Sequence, residues 1–280
     1  MVNQEIERLW REDADYIDWT TLGLGIGEKR GEISFSAKRG GVISGIKEAL
    51  SLGEACGVEL EALVKEGAWV EAGEEILRGE GKAIALHKAW KVTQNLLEYL
   101  SGIATFTHEM VTCAKKINPS IEILTTRKNF PGSKRLMLQA ILSGGAWPHR
   151  LGLFDSVLVF EQHRVFLETP AELEQAFKAL KRRLLEKKIA VEVSDFEEAK
   201  LFASWGADIL QCEKMELGEL ARCVELKRAY PSLLLSATGG VKIENVMKIA
   251  QSGVDFVVTS APYHANPLDI KVRMKKRSEG

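Results

Sequence analysis

Cysteine is scarce: the chain has four, Cys56, Cys113, Cys212 and Cys223, and no two share a CxxC spacing. That pattern predicts neither a zinc site nor a disulfide framework, and it fits a reducing cytoplasm. Net charge is equally slight, −1 at pH 7 with pI ≈ 6.6, so a general nucleic-acid or anionic-membrane binder is not expected. No apolar run approaches the ~20 residues of a membrane-spanning helix, and the polar, acid-bearing start predicts no secretory leader. What is present is ordinary for a globular chain. It has 280 residues, 45% hydrophobic and 28% charged, enough for one large or two modest domains.

Residues 1 to about 107 read as a mixed α+β unit. An acidic approach leads to the glycine-rich Leu22–Gly27, which lacks the strand–helix context of a nucleotide fingerprint and reads as a turn between strands. Glu32–Ala37 alternates like a strand. Gly67–Leu77 has the turn spacing of lipoyl-type β modules without an exposed lysine hairpin, so it reads as structural. From Trp90 onward Val92, Leu96, Leu97, Leu100 and Ile103 recur at helical spacing, and Gly102 allows close packing.

Beyond Thr107 helices and apolar strands alternate, the pattern of a parallel α/β fold. Strands are expected at 121–124, 157–160, 189–193, 209–212, 233–237 and 256–259. Six strands suit an open, incomplete α/β barrel rather than a closed one of eight. Two units end alike, in Trp205-Gly206-Ala207-Asp208 and Ser252-Gly253-Val254-Asp255. Residues 268–274 alternate again, as a final strand.

Functional groups of such barrels collect at the C-terminal ends of the strands. There stand Arg127-Lys128, Phe160, Glu192, Glu213, Thr238-Gly239-Gly240 and Ser260. His149-Arg150 adds a second cationic pair before a turn. The glycine loop offers N–H groups to a phosphate monoester, with Ser260 adding a hydroxyl. Guanidinium beside ammonium suits phosphate or carboxylate oxygens. Glu192 and Glu213 suit Mg²⁺ or ribose hydroxyls. Taken singly, each has a plainer reading: a solvated basic loop for Arg127-Lys128, a structural ion pair for Glu192, a surface acid for Glu213, a surface lysine for Lys91. Their coincidence at strand ends favours a site.

The segments TTRKNFPG, SGG and HRLGLFDSVLV resemble the core of the type II phosphoribosyltransferases, the quinolinate phosphoribosyltransferase (nicotinate-nucleotide pyrophosphorylase) family. WKVTQNLLEYLSGIAT and Phe160 most resemble its ModD branch, named for molybdenum transport operons. The resemblance implies an N-terminal α/β sandwich domain, 1–107 plus 268–280, and an open α/β-barrel domain, 108–267. It implies transfer of phosphoribosyl from phosphoribosyl pyrophosphate (PRPP) with Mg²⁺, by a cytoplasmic homodimer whose subunits share sites through Lys91. By the same resemblance Arg127, His149 and Arg150 bind the acceptor's carboxylate, and Lys128 lies near the pyrophosphate. Glu192 and Glu213 lie near ribose and Mg²⁺, as catalytic and metal-binding groups. Thr238, Gly239 and Gly240 match the Ser-Gly-Gly that holds the 5′-phosphate, to which Ser260 adds a hydroxyl on the reading of the residues.

Glu213 and Ser260 stand where Asp and Gly are usual, and two further departures matter more: Lys91 replaces an arginine, and Phe160 replaces a lysine. Both belong to the basic pocket for quinolinate, so the expected acceptor is a different small acid, probed against two alternatives. One is quinolinate phosphoribosyltransferase proper, in NAD biosynthesis. The other is a non-catalytic molybdate or oxyanion binder.

Overall fold

The structure is a computed structural model that describes residues 4–277. The chain runs first through α1 (Gln4–Ala14), α2 (Trp19–Gly23), β1 (Arg30–Ala37), β2 (Gly41–Val42), α3 (Ile46–Cys56), β3 (Glu59–Ala62), β4 (Trp69–Val70), β5 (Glu75–Lys82) and α4 (Ala83–Ile117). Next come β6 (Glu122–Thr125), α5 (Lys134–Ser143), β7 (Trp147–Pro148), β8 (Val157–Val159), α6 (Glu161–Arg164), α7 (Pro170–Arg183) and β9 (Ile189–Val193). It closes with α8 (Phe196–Ser204), β10 (Ile209–Glu213), α9 (Leu217–Glu225), β11 (Leu234–Thr238), α10 (Ile243–Gln251), β12 (Phe256–Thr259) and β13 (Ile270–Lys276). Two compact units form. One takes the residues up to His108, Phe130–Gly145 and those from His264 on; the other takes Glu109–Asn129 and Ala146–Tyr263.

In the first unit an antiparallel sheet has the order β13-β1-β5-β3. β1 alternates, and its Ile33, Phe35 and Ala37 are buried against Ile46 and Ala49 of α3 and Leu86, Ala89 and Leu97 of α4. One sheet face thus carries helices, while the other keeps the polar half of the alternation. The Glu66 carboxylate caps α3, accepting from the N–H groups of Gly45 and Ile46 at 3.0 Å and from the Ser44 and Ser143 hydroxyls at 2.6 and 2.8 Å. An anion there meets the helix dipole and its orphan donors. The start of the chain differs from its reading: the acidic approach runs from the end of α1 into α2, and Leu22–Gly27 begins within α2 and leads to β1 rather than lying between strands. α4 begins at Ala83, seven residues before Trp90, because residues 83–89 carry no breaker.

In the second unit seven strands pair in parallel in the order β7-β6-β12-β11-β10-β9-β8. The edges β7 and β8 do not pair with each other, so the barrel is open. All six expected strands are present, with two-residue β7 as a seventh. β9 and β12 are nearly unbroken apolar runs because both faces are covered. The repeated Gly-x-Asp has a physical reason. Gly206 and Gly253 each turn the chain at φ 87°. Asp208 then accepts the N–H of Ile189 at 2.8 Å and pairs with Lys181 at 3.0 Å. Asp255 accepts the N–H of Leu235 at 2.8 Å and pairs with Lys227 at 2.6 Å. Each carboxylate satisfies the start of the neighbouring strand, at the face opposite the site.

Candidate functional site

Because all seven strands are parallel, their C-terminal ends form one rim, and the ladder register decides what stands beside what. Thr125 pairs with Pro148 and Thr259, Thr238 with Val258 and Glu213, and Gln211 with Glu192. Going round the rim, Arg127-Lys128 leave β6, His149-Arg150 leave β7, and Phe160 follows β8. Glu192 lies in β9, Glu213 ends β10, Thr238 ends β11 and Ser260 follows β12.

The cationic side is fixed by backbone. The N–H of Thr126 donates to Thr259 O at 3.0 Å, and that of Lys128 to Thr126 Oγ1 at 3.2 Å, holding an exposed Arg127-Lys128 pair at the sheet end. The N–H of His149 donates to Thr125 O at 2.8 Å. Arg150 is buried to 8% exposure and donates to Ser156 O at 3.3 Å. Burial, reinforced by the charge of Arg127, lowers its pKa from the ordinary value, while Asp155 opposes the shift. Burial and the neighbouring Arg150 likewise lower the pKa of His149. Two guanidiniums this close repel each other, an arrangement relieved by an incoming anion.

Phe160 lies between two partners, with the Arg150 guanidinium 5.8 Å from its ring and the His163 imidazole stacked at 5.8 Å. The N–H of Phe160 donates to His163 Nδ1 at 3.0 Å, which turns the ring toward the start of α6. This corner presents an aromatic face flanked by one cation.

Glu192 and Glu213 line one cavity of about 380 Å³ together with Arg164, Ser194 and Glu198. Burial, then the charge of Glu213, raises the pKa of Glu192; a hydrogen bond from Gln211 Nε2 at 3.0 Å and the charges of Lys128 and Arg164 oppose the rise. Arg164 pairs with Glu198 at 2.7 Å, and its Nε is buried without a partner among the described residues. Two residues here escaped sequence reading. Gln211, 3% exposed, sits inside the apolar run ILQC, and its amide was the one polar signal there. Arg164 ends α6, a short helix that the sequence reading did not place.

At β11 the Thr238 hydroxyl is spent on Val258 O at 3.0 Å, leaving the loop backbone as the polar surface. Gly239 and Gly240 have φ of 78° and 70°. Among the described residues, the N–H groups of Gly240 and Val241 meet no acceptor. Asn245 Nδ2 ties down Gly240 O at 3.0 Å, just before α10. Lys91 belongs to the first unit, on α4, where its ammonium lies 5.0 Å from the Trp90 ring centre and donates to Gln94 Oε1 at 3.1 Å. Among the described residues no three metal-ligating side chains cluster, and no helix is long and apolar enough to cross a membrane.

Comparison with known proteins agrees with this geometry. The family described as "Quinolinate phosphoribosyl transferase, C-terminal domain" matches residues 103–273, and its N-terminal counterpart matches 18–101. ModD proteins, named as pyrophosphorylases, are 36% identical in Pasteurella multocida, covering 98% of each chain, and 34% identical in Escherichia coli O157:H7, covering 97% of this chain and 96% of that one. A Synechocystis protein named as a carboxylating nicotinate-nucleotide pyrophosphorylase is 31% identical over 98% of this chain and 92% of its own. The solved nicotinate-nucleotide pyrophosphorylase of Francisella tularensis superposes with a TM-score of 0.88 at 22% identity, covering 98% and 96% of the two chains. That of Ehrlichia chaffeensis gives 0.88 at 24%, covering 97% and 98%. With both domain matches spanning residues 18–273 with a one-residue break, and full-length relatives above 30% identity, the chain belongs to the quinolinate phosphoribosyltransferase family, type II phosphoribosyltransferases that include the ModD proteins.

Proposed function

We propose that this protein is a cytoplasmic, ModD-like phosphoribosyltransferase that takes Mg²⁺-bound PRPP and a small heterocyclic acid. The reading is carried by one observation: a single strand-end rim with anion-seeking groups on one side, carboxylates opposite and a glycine loop between. In the proposed reaction the C1–O bond of PRPP breaks, with the electron pair leaving on pyrophosphate. A ring nitrogen of the acceptor forms the new bond to C1, so no side-chain nucleophile is needed. Lys128 stabilises the departing charge, and Glu192 and Glu213 face the cationic sugar. The loop at Thr238, Gly239, Gly240 and Ser260 receives the 5′-phosphate.

Glu192 and Glu213, with no cluster of three metal-ligating side chains among the described residues, suit a Mg²⁺ that arrives on phosphate oxygens, as that ion commonly binds. Bound there, Mg²⁺ would neutralise pyrophosphate charge. The acceptor would dock its carboxylate against Arg127, His149 and Arg150 and its ring on Phe160, with Lys91 contributing from a partner subunit. Quinolinate, a dianion, fits poorly. Losing one partner of a buried ion pair costs ~3–5 kcal/mol, which is ~100-fold or more in affinity.

Thermal unfolding tests the reading. Mg²⁺ with PRPP should raise the melting temperature, since a ligand at 100 times its Kd stabilises by ~2.7 kcal/mol, and quinolinate should add little. A shift with molybdate and none with PRPP would replace this reading with an oxyanion-binding protein. Such a protein would be tied to molybdenum transport through binding rather than catalysis.

A further inference from the structure

We propose that Lys214 is a phosphate-binding residue, held by Glu213 in the free protein and delivered to the anion on the adjacent glycine loop. The inference deepens the proposed function and rests on its assignment of that loop to a phosphate.

The first observation is backbone. Among the described residues Lys214 is the one non-glycine residue in the left-handed region, at φ 53°. For an L-residue other than Asn or Asp this conformation is disfavoured, because Cβ crowds the carbonyl oxygen, and such strain collects where a site requires it. Glycine at this position would avoid the cost, so the sequence retains a lysine against a conformational preference.

The second observation is where that conformation sends the side chain. The Lys214 N–H donates to Thr238 O at 2.8 Å, which pins the end of β10 to the end of β11. The stem then crosses Gly239, where a Cβ would fall 2.6 Å from Lys214 Cγ and 2.7 Å from Glu213 Oε1. Gly239 is therefore required for two reasons: its own φ and the passage of Lys214 over it. The lysine lies against the same loop whose Gly240 and Val241 N–H groups meet no acceptor among the described residues.

The third is charge. The ammonium is 3.5 Å from Glu213 Oε1, with the lysine side chain 75% exposed. An exposed, long ion pair is weakly held in water, so it is readily exchanged. A phosphate dianion offers more: nearly two negative charges and three strong acceptor oxygens, against the single charge of one carboxylate. On exchange, Glu213 loses its cation and becomes available to the sugar or to Mg²⁺. Phosphate binding would then precede, and arm, the carboxylate.

The test measures ribose 5-phosphate and Mg²⁺-PRPP binding by titration calorimetry on the full chain. Lys214→Met and Lys214→Gly should weaken ribose 5-phosphate about tenfold, ~1.4 kcal/mol, while Lys214→Arg stays within about twofold. Lys214→Gly relieves the left-handed strain, so it should melt no lower than the wild type, which separates lost binding from lost fold. Wild-type affinity in both Lys214→Met and Lys214→Gly would overturn the inference and leave the proposed function standing. A wild-type protein that binds neither ligand would overturn both.

Discussion

Glu192 is a carboxyl whose folded environment favours its proton. Burial and the charge of Glu213 raise its pKa above the ordinary 4.5. The folded chain therefore binds that proton more tightly than the unfolded chain, and stability falls as pH rises from about 4.5 through the raised folded value. Below that window the contribution is fully present; above it, it is lost. Glu192→Gln should flatten this decline, read as denaturant midpoints across the window, and an unchanged slope would mean that another group titrates. Most of these side chains were legible because residue type and strand-end position sufficed: Arg127, Lys128, Glu192, Glu213 and the Thr238 loop all stand at one rim. Gln211 was not legible, since a residue inside an apolar run reads as core until the register sets it opposite Glu192. Lys214 was hidden for another reason: a backbone torsion has no signature in a lysine.

Elements were read best where packing is two-sided. β9, β10, β11 and β12 announce themselves as short apolar runs, and the repeated Gly-x-Asp marks the entries of β10 and β12. α1 was missed because its sequence is mostly polar, with Ile6 its main buried anchor. β7 was missed because two residues carry no period. α4 makes a prediction of definite sign. A Cβ on Gly102 would lie 2.3 Å from Asn266 O and 2.8 Å from Pro267 Cα, both backbone atoms that cannot rotate away. Glycine to alanine inside an exposed helix stabilises by roughly 0.5–1 kcal/mol. Here Gly102→Ala should instead destabilise by ~1–3 kcal/mol through overpacking, seen as a lower melting temperature. A higher one would show that the C-terminal segment moves aside.

For the whole molecule, the proposed assembly is a homodimer in which Lys91 serves the partner's site. Light scattering should return twice the 31.1 kDa chain mass, and a monomer would remove the sharing and leave Lys91 a helix-surface residue. The first unit bears on this: Tyr16, Trp19, Leu22 and Leu24 are 86%, 73%, 62% and 66% exposed within one chain. The second unit has a problem of its own, which comes from being open. A sheet that does not close leaves two strands with unpaired N–H and C=O groups, the usual template for adding a foreign strand and growing fibrils. In this chain those outermost positions go to its shortest parallel strands, β7 with two residues and β8 with three, and Pro148 in β7 has no N–H to offer. The open barrel thus keeps its rim accessible to ligand while giving a neighbouring chain almost no ladder to extend.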